Sequence, residues 1–327
     1  MTDRIQKLRT WLDNELALVS YELTPASEDA SFRRYFRVHH QDRTFIVMDA
    51  PPDKEDCSAF LDVTERLRNS GLHAPEVYAR DLQQGFLLLE DLGSVSYLQQ
   101  LNADNVDELY GDAMAALLQL QGQVKVQGLP LYDEALLMQE MQLFPDWLLG
   151  EHLGVSIGRE QESRLQSLFS VLAENALAQP AVFVHRDYHS RNLMVHDPNP
   201  GIIDYQDAVL GPVTYDLVSL LKDCYVKWPA DQVQGWLAGY HSRFCESTPS
   251  SPGIDQFTRW FDLMGVQRHL KASGIFARLC HRDGKSGYLA DIPRTLSYIV
   301  DLEESYDELG WLVELIKADV LPGLSSS

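Results

Sequence analysis

The sequence predicts an α+β, bilobal protein with a small β-rich N-lobe and a larger, mostly helical C-lobe. The chain has 327 residues, more than the roughly 250–300 at which a single hydrophobic core usually stops growing. Alternating apolar residues, typical of strands, are concentrated before Gly93. From Ser94 onward apolar residues recur mostly at steps of three and four, which is typical of helices. We therefore expect lobes at 1–93 and 94–327.

The first lobe opens with a predicted amphipathic helix. Its apolar residues run at helical spacing from Ile5 to Val19, and the helix should end before Pro25. Alternating residues and β-rich runs then predict strands, and each is followed by a turn signal or a proline. The remaining elements of this lobe are a hairpin at 36–38 and 45–48, a helix at 56–69, and strands at 77–79 and 85–90.

The second lobe is predicted to be a helical bundle interrupted by a small sheet edge. Helical periodicity indicates helices at 105–123, 133–149, 160–177, 231–244, 254–279 and 293–316. Between the third and fourth of these, short β-rich runs separated by polar loops lie at 181–184, 193–195 and 201–203. This small strand region lies at the centre of the lobe's sequence.

The charge of the chain argues against several classes of partner. It has 27 Lys and Arg against 48 Asp and Glu, a net charge of −21. Such an acidic protein would repel nucleic-acid phosphates and anionic lipid. We expect no nucleic-acid partner and no membrane partner.

The cysteines and the N-terminus indicate the compartment. The four cysteines are far apart in sequence and form no CxxC pair, so neither a zinc site nor a disulfide framework is expected. The N-terminal segment is charged and periodic, unlike a signal peptide, and there is no apolar run of 18 residues. These features favour a cytoplasmic protein.

Two central loops carry polar residues at a spacing that suits phosphoryl transfer. The first loop contains His185-Arg-Asp-Tyr-His-Ser-Arg-Asn192, and Asp204 follows Asn192 after twelve residues. This pattern matches the HRDxxxxN catalytic loop and the metal-binding Asp of the kinase fold. Phosphoryl transfer needs a carboxylate near the attacking hydroxyl and oxygen ligands for Mg²⁺. Asp187 suits the first task, and Asn192 and Asp204 suit the second.

These segments resemble the aminoglycoside phosphotransferase family of small-molecule kinases over nearly the whole chain. The resemblance is carried by VFVHRDYHSRNLMV and GIIDYQDAVLGPVTYDLVSLL. Further segments, among them SFRRYFRV, LLLEDLG and RHLKASGIFARL, are similar to the bacterial anomeric sugar kinases of cell-wall recycling. Those enzymes phosphorylate the C1 hydroxyl of N-acetylmuramate and N-acetylglucosamine. The resemblance thus implies a protein-kinase-like fold, ATP as co-substrate, Mg²⁺ as cofactor and an amino sugar as acceptor in peptidoglycan recycling.

The family also implies roles for particular residues. Asp187 would be the catalytic base, with Asn192 and Asp204 as magnesium ligands. The segment Glu90-Asp91-Leu92 would be the interlobe hinge that reads adenine through its backbone; the alternative is a plain buried strand ending in a turn. Asp216 falls where relatives have a buried Asp that braces the catalytic loop, so its role would be structural.

One expected residue is missing. Kinases usually carry a lysine on the third strand to pair with the nucleotide phosphates, but Met48 occupies this position. A cation is still needed beside the phosphates. Arg33 and Arg34 are the nearest candidates and Lys54 is a third, although an exposed arginine pair on a hairpin is equally compatible. The phosphate-covering loop should be Ser27–Ser31, which lacks glycine.

The acceptor site is less well defined by the sequence. A basic cluster in the C-terminal helices could bind the lactyl carboxylate of muramate, because arginine pairs bidentately with carboxylates. The same residues could instead form a solvated helix face. His189 could contact the sugar from the catalytic loop, or only brace that loop. The basic cluster consists of Arg268, His269 and Lys271, followed by Arg278, Arg282 and Lys285.

Three other functions remain open at this point. An aminoglycoside kinase would use the negative charge to attract polycationic substrates. A protein kinase is disfavoured because Asp204-Tyr-Gln replaces the DFG sequence and no APE segment follows. A pseudokinase scaffold would explain the missing lysine, although the predicted base and both metal ligands are retained.

Overall fold

The computed structural model describes residues 2–18, 20–28, 32–248 and 252–324. They form two compact units. We call Met1–Gln100 with Asn192–Asp207 the sheet unit, and Leu101–Arg191 with Ala208–Ser327 the helical unit. The sequence predicted a lobe boundary at residue 93, and residues 192–207 were therefore expected in the second lobe. In the structure these residues group with the sheet unit instead. None of the described helices is long and apolar enough to cross a membrane.

The sheet unit is built on an antiparallel sheet of five strands in the order β1-β2-β3-β5-β4. Helix α1 and the π-helical turn that follows it (Trp11–Glu15) cover one face, where Leu8, Trp11 and Leu12 pack on apolar side chains of β2, β3 and β5. The elements of the sheet are β1 (Tyr21–Glu28), β2 (Arg34–His40), β3 (Arg43–Asp49), β4 (Val77–Asp81) and β5 (Phe86–Glu90). The other elements of this unit are α1 (Thr2–Thr10), α2 (Ser58–Asn69), α3 (Tyr97–Gln100) and the hairpin β7 (Leu193–Met194) with β8 (Gly201–Ile202).

The helical unit is organised around one long, buried helix. This helix, α9, packs against α5, α6, α7, α8 and α10, and Gly274 lets it approach the backbone of Leu143 so closely that a Cβ would overlap it. The helices are α4 (Val106–Gln123), α5 (Glu134–Met141), α6 (Arg159–Leu177), α7 (Tyr215–Leu221), α8 (Ala230–Ser247), α9 (Ile254–Asp283), α10 (Ile292–Val300), α11 (Gly310–Leu315) and α12 (Leu321–Leu324). Two strands, β6 (Ala181–Val184) and β9 (Val209–Pro212), pair antiparallel.

Several predicted elements differ from the structure. Helix α1 ends at Thr10 and continues as a π-helical turn to Glu15, and Val19 lies outside the described residues. Strand β1 was not predicted because it contains Pro25, which an edge strand tolerates. The helix predicted at 133–149 is interrupted around Pro145, which lacks an N–H group. The helix predicted at 293–316 breaks after Val300, where acidic residues oppose the helix dipole.

The central strands also pair differently from the prediction. The three predicted runs do not share one sheet edge: β6 pairs with β9, and β7 pairs with β8. Helix α7 was missed because every residue in it is buried, so its sequence lacks an amphipathic period.

Candidate active site

The loop that carries Asp187 begins where β6 ends and is anchored by a buried carboxylate. Asp216, 1% exposed, accepts hydrogen bonds from the backbone N–H groups of His185 at 2.6 Å and Arg186 at 3.0 Å. Arg186 has a φ of +77°, a conformation that non-glycine residues adopt rarely and that is concentrated at functional sites. Burial raises the pKa of Asp216 to about 7, although both N–H donors favour the ionised form. Asp216 has the contacts expected of a brace for this loop.

A second buried carboxylate anchors the far half of the loop. Asp223 accepts hydrogen bonds from the backbone N–H of Ser190 at 2.9 Å and from its hydroxyl at 2.5 Å. Its other oxygen accepts from the backbone N–H of Tyr225 at 2.9 Å. Sequence reasoning missed Asp223, because nothing in its local sequence distinguishes it from other acidic residues. The loop is therefore tied at both ends to fully buried acids.

Asp187 itself is accessible and ionised. Its side chain is 44% exposed. The surrounding protein desolvates the carboxylate and opposes ionisation, but nearby positive charges, chiefly that of Lys271 and also that of Arg268, outweigh that effect and hold the pKa of Asp187 below its ordinary value. Asp187 can therefore accept a proton near neutral pH.

Lys271 belongs to a buried network around Glu140. The Glu140 carboxylate accepts from Lys271 Nζ at 3.0 Å and also binds Arg186 and the hydroxyl of Tyr132. Lys271 Nζ also lies 3.0 Å from the hydroxyl of Tyr215. Burial disfavours the charge of Glu140, but Lys271 and Arg186 lower its pKa below the ordinary value. The network holds two cations beside the catalytic loop.

We expect Lys271→Gln to move the acid limb of the kcat/KM profile to higher pH. Lys271 contributes to the low pKa of Asp187, so its loss raises that pKa, and protonation of the base then begins at a higher pH. Removing one partner of a buried ion pair should also cost about 3–5 kcal/mol of unfolding free energy. Lys271→Arg, which retains the charge, is the control. The electrostatic role is refuted if the acid limb of Lys271→Gln coincides with that of Lys271→Arg.

The other predicted cations of α9 are buried with internal partners. His269 is 1% exposed, donates from Nε2 to the carbonyl of Lys222 at 2.9 Å, and stacks on Tyr298 with centroids 4.8 Å apart. Burial holds the pKa of His269 well below its ordinary value. Arg268 is 5% exposed, and its Nη1 lies 3.4 Å from the sulfur of Cys224. These contacts favour internal roles for Arg268, His269 and Lys271 rather than contact with a sugar.

A group of aromatic residues follows the catalytic loop within the helical unit. His189 Nε2 lies 4.0 Å from Asp187 Oδ1, and the His189 ring packs edge-on against Tyr225 with centroids 5.2 Å apart. The Nδ1 atom of His189 is buried and has no hydrogen-bond partner among the described residues. Burial lowers the pKa of His189, so the ring is neutral near pH 7. The nitrogen that lies 4.0 Å from Asp187 is Nε2, so a neutral imidazole stands beside the carboxylate.

Arg191 adjoins the same aromatic group, and sequence reasoning missed it although it stands within the quoted loop. Its guanidinium carbon lies 3.7 Å from the centroid of Tyr225 and 5.4 Å from that of Tyr288. Its ion pair with Asp291 is long, at 3.9 Å, and 40% of its side chain is exposed. The missed signal was a second arginine in the loop, directly before Asn192.

The sheet unit contains the two predicted metal ligands. Asn192 Nδ2 donates to Asp204 Oδ2 at 3.1 Å, and Gln206 Nε2 donates to Asp204 Oδ1 at 2.9 Å. Asp204 has a φ of +65°, a left-handed conformation that Asp adopts more readily than most residues. The next residue, Tyr205, is buried, stacks on Phe60 and shares a 2.8 Å hydrogen bond with Thr64. Tyr205 thus anchors the backbone beside Asp204 to helix α2.

The chemistry of this pair fits magnesium. Mg²⁺ prefers oxygen ligands and is usually held by one or two carboxylates together with substrate phosphates and water. Asn192 and Asp204 carry an amide oxygen and a carboxylate, and a hydrogen bond between their side chains holds them together. The pair therefore suits a cation that takes its other ligands from a nucleotide.

The predicted hinge is a strand end whose acidic side chains have partners within the sheet unit. Asp91 binds Arg37, with Nε 2.7 Å from Oδ2, and it also accepts from the backbone N–H of Gly93 at 3.0 Å. Asp91 lies in a desolvating environment, but Arg37 keeps its pKa below the ordinary value. The Glu90 carboxylate accepts from the backbone N–H of Glu76, and Leu92 is buried. The side chains of this segment are therefore occupied internally.

The two arginines proposed in place of the strand lysine also have acidic partners. Met48 is fully buried in β3. Arg34 Nε lies 3.1 Å from Oδ2 of Asp49, a fully buried carboxylate that also binds Arg4 of α1. Arg33 Nε lies 3.4 Å from Glu55 Oε2. The predicted phosphate-covering loop falls largely outside the described residues, which omit 29–31.

Comparison with known proteins identifies the family. Residues 22–256 match the model of the phosphotransferase enzyme family. A relative from Pseudomonas aeruginosa, an N-acetylmuramate/N-acetylglucosamine kinase, is 49% identical over 96% of this chain and 96% of its own length. A protein of the same name from Pseudomonas putida is 47% identical over 96% of both chains.

A structural comparison confirms the predicted kinase-like α+β fold. The choline kinase of Streptococcus pneumoniae superimposes with a TM-score of 0.62 at 13% identity, covering 89% of this chain and 98% of its own. At this identity the likeness concerns the fold alone. The family model covers most of the chain, and the Pseudomonas relatives align over nearly all of it. This chain belongs to the phosphotransferase enzyme family.

Proposed function

We propose that this protein is an ATP-dependent sugar kinase that phosphorylates the anomeric C1 hydroxyl of N-acetylmuramate and N-acetylglucosamine. The observation that carries the proposal is the accessible, ionised Asp187 on a loop held by Asp216 and Asp223. The names of the Pseudomonas relatives supply the substrate class.

In the proposed reaction Asp187 accepts the proton of the C1 hydroxyl as its oxygen attacks the γ-phosphorus of ATP. The O–P bond forms, the bond to ADP breaks, and the sugar 1-phosphate leaves. His189 is proposed to orient the sugar by a hydrogen bond at Nε2, the ring nitrogen that lies 4.0 Å from Asp187. Asn192 and Asp204 would hold Mg²⁺, which would neutralise charge on the phosphates. The backbone of Glu90–Leu92 is proposed to bind adenine, since the side chains of Glu90 and Asp91 are engaged elsewhere.

The proposal is tested by ATP consumption with a panel of acceptors. We expect turnover with both amino sugars and none with their 1-O-methyl glycosides, which have no free C1 hydroxyl. The panel includes an aminoglycoside, because the net charge of −21 would attract a polycation. Turnover of the methyl glycosides would refute C1 as the acceptor position. Turnover of the aminoglycoside alone would replace the proposed function, and no turnover of any acceptor would indicate a pseudokinase.

The missing lysine leads to a paired prediction for Arg33 and Arg34. Arg34 binds Asp49, so Arg34→Ala is expected to lower the unfolding free energy by about 1–3 kcal/mol and to leave the KM for ATP near normal. Arg33 lies directly before β2 and makes a longer contact, 3.4 Å, with Glu55. We therefore expect Arg33→Ala to raise the KM for ATP and to lower kcat/KM by roughly one to two powers of ten.

Steady-state ATP kinetics and thermal unfolding of both variants measure these effects. If both variants and the double variant keep normal ATP kinetics, neither arginine replaces the lysine. Lys54→Ala is then the next variant to measure.

A further inference from the structure

We propose that Arg191, held against Tyr225 and Tyr288, binds the lactyl carboxylate of N-acetylmuramate and so determines how well the enzyme uses its acidic substrate. The proposal rests on the proposed function, and it names the part of the acceptor site that distinguishes the two sugars. They share the C1 hydroxyl, and N-acetylmuramate adds a lactyl ether at C3 that carries a carboxylate.

The first support is the continuity of contacts from the catalytic base to Arg191. Asp187 lies 4.0 Å from His189, and His189 packs on Tyr225. The guanidinium carbon of Arg191 lies over the same Tyr225 ring, 3.7 Å from its centroid. All four residues belong to the helical unit. A sugar whose C1 hydroxyl meets Asp187 would therefore extend its remaining ring atoms along the aromatic residues toward Arg191.

The second support is the aromatic surface itself. Tyr225 contacts Phe276, with centroids 6.1 Å apart, and Phe276 stacks on Tyr288 at 5.6 Å. Ligand sites are typically lined by aromatic side chains with a few polar groups that fix the orientation. Here His189 and Arg191 supply polar groups at the edge of the aromatic residues.

The third support is the state of the Arg191 charge. Its carboxylate partner Asp291 is 3.9 Å away and makes a closer contact, 2.6 Å, with Arg294. The guanidinium carbon lies over the ring of Tyr225, 3.7 Å from its centroid, and 5.4 Å from that of Tyr288. Arginine binds a carboxylate through two parallel N–H bonds. Arg191 can therefore accept a substrate carboxylate without breaking a tight ion pair.

Exposure separates Arg191 from the cations predicted earlier for this role. Arg268 and Lys271 are buried, with partners inside the helical unit. The side chain of Arg191 is 40% exposed. Acidic groups also belong to this region. Asp291 pairs with Arg191, Asp187 lies 4.0 Å from His189, and Asp223 binds the backbone of Ser190, so an anionic substituent would be repelled unless it met Arg191 directly.

The test compares Arg191→Gln with the wild type on three substrates: N-acetylmuramate, its neutral carboxamide and N-acetylglucosamine. We expect kcat/KM for N-acetylmuramate to fall about 10- to 100-fold, the effect of losing one charge-assisted contact. Values for the carboxamide and for N-acetylglucosamine should change less than about twofold. Arg191→Lys should recover part of the loss, and Arg164→Gln, at an exposed arginine on α6, is the matched control.

The outcomes are distinct. An equal loss on all three substrates would show that Arg191 maintains the loop, and unchanged activity on N-acetylmuramate would show that its carboxylate is bound elsewhere; either result overturns the inference. Activity of Arg191→Gln on N-acetylglucosamine also shows that the variant is folded. A wild-type enzyme inactive on both sugars would instead refute the proposed function.

Discussion

Asp187→Asn should reduce kcat for sugar phosphorylation by about 10²- to 10⁴-fold, the usual contribution of a general base, while ATP binding stays close to normal. The reason is that the carboxylate is proposed to act on the acceptor hydroxyl, whereas the amide of asparagine has no comparable basicity. The two side chains have nearly the same shape, so the hydrogen bonds of Asp216 to the loop backbone should persist.

Single-turnover phosphorylation and calorimetric titration of ATP with Mg²⁺ measure the two effects separately. Asp231→Asn, at an exposed carboxylate on α8, is the matched control and should behave as wild type. Activity of Asp187→Asn near the wild-type level would remove Asp187 as the base. Loss of ATP affinity in proportion to kcat would mean instead that the variant disturbs the nucleotide site.

Asp204→Asn should weaken magnesium-dependent nucleotide binding as well as catalysis, and so differ in kind from Asp187→Asn. Metal stabilisation of phosphoryl charge is worth several kcal/mol, so we expect at least about a 100-fold loss in kcat/KM. Asparagine tolerates the φ of +65° at this position, so backbone strain should change little. Asp204→Ala adds strain at this φ and should also lower thermal stability.

The informative measurement for Asp204 is the affinity for ATP with and without Mg²⁺. The variant should lose the enhancement that magnesium provides, while its affinity for metal-free nucleotide stays the same or rises because a negative charge is gone. Asp207→Asn, three residues further along at an exposed position, is the comparison. If Asp204→Asn keeps the magnesium enhancement and Asp207→Asn loses it, the metal role belongs to Asp207.

The local chemistry of the candidate site could be predicted because the residues that carry it lie within short segments of the sequence. The spacing from His185 to Asn192 and on to Asp204 places a base and two oxygen ligands on consecutive loops, and strand β6 was predicted with its observed bounds. The hairpin β2–β3 and strands β4 and β5 also follow from alternation and turn residues, whose effects act over a few residues.

Contacts between residues far apart in the chain could not be predicted in this way. Glu140 binds Lys271 and Arg186, and Asp223 binds Ser190, each across more than thirty positions. Nothing in the sequence around Glu140 or Asp223 distinguishes these acids from the many exposed ones. The pairing of β6 with β9, rather than with the neighbouring short strands, likewise depends on contacts between residues far apart in the chain.

The basic residues of α9 show most clearly the difference between what the sequence predicts and what only the tertiary structure determines. The sequence by itself determined that Arg268, His269 and Lys271 lie on one helix, and that Asp187 and Arg191 share one loop. Which of these cations is exposed to solvent was decided only by the tertiary structure. Helices pack around α9 on several sides, so Arg268, His269 and Lys271 are buried and must pair internally. Arg191 instead rests on the aromatic rings with its charge accessible. Helical periodicity specifies which residues share a face, but burial depends on what packs against that face.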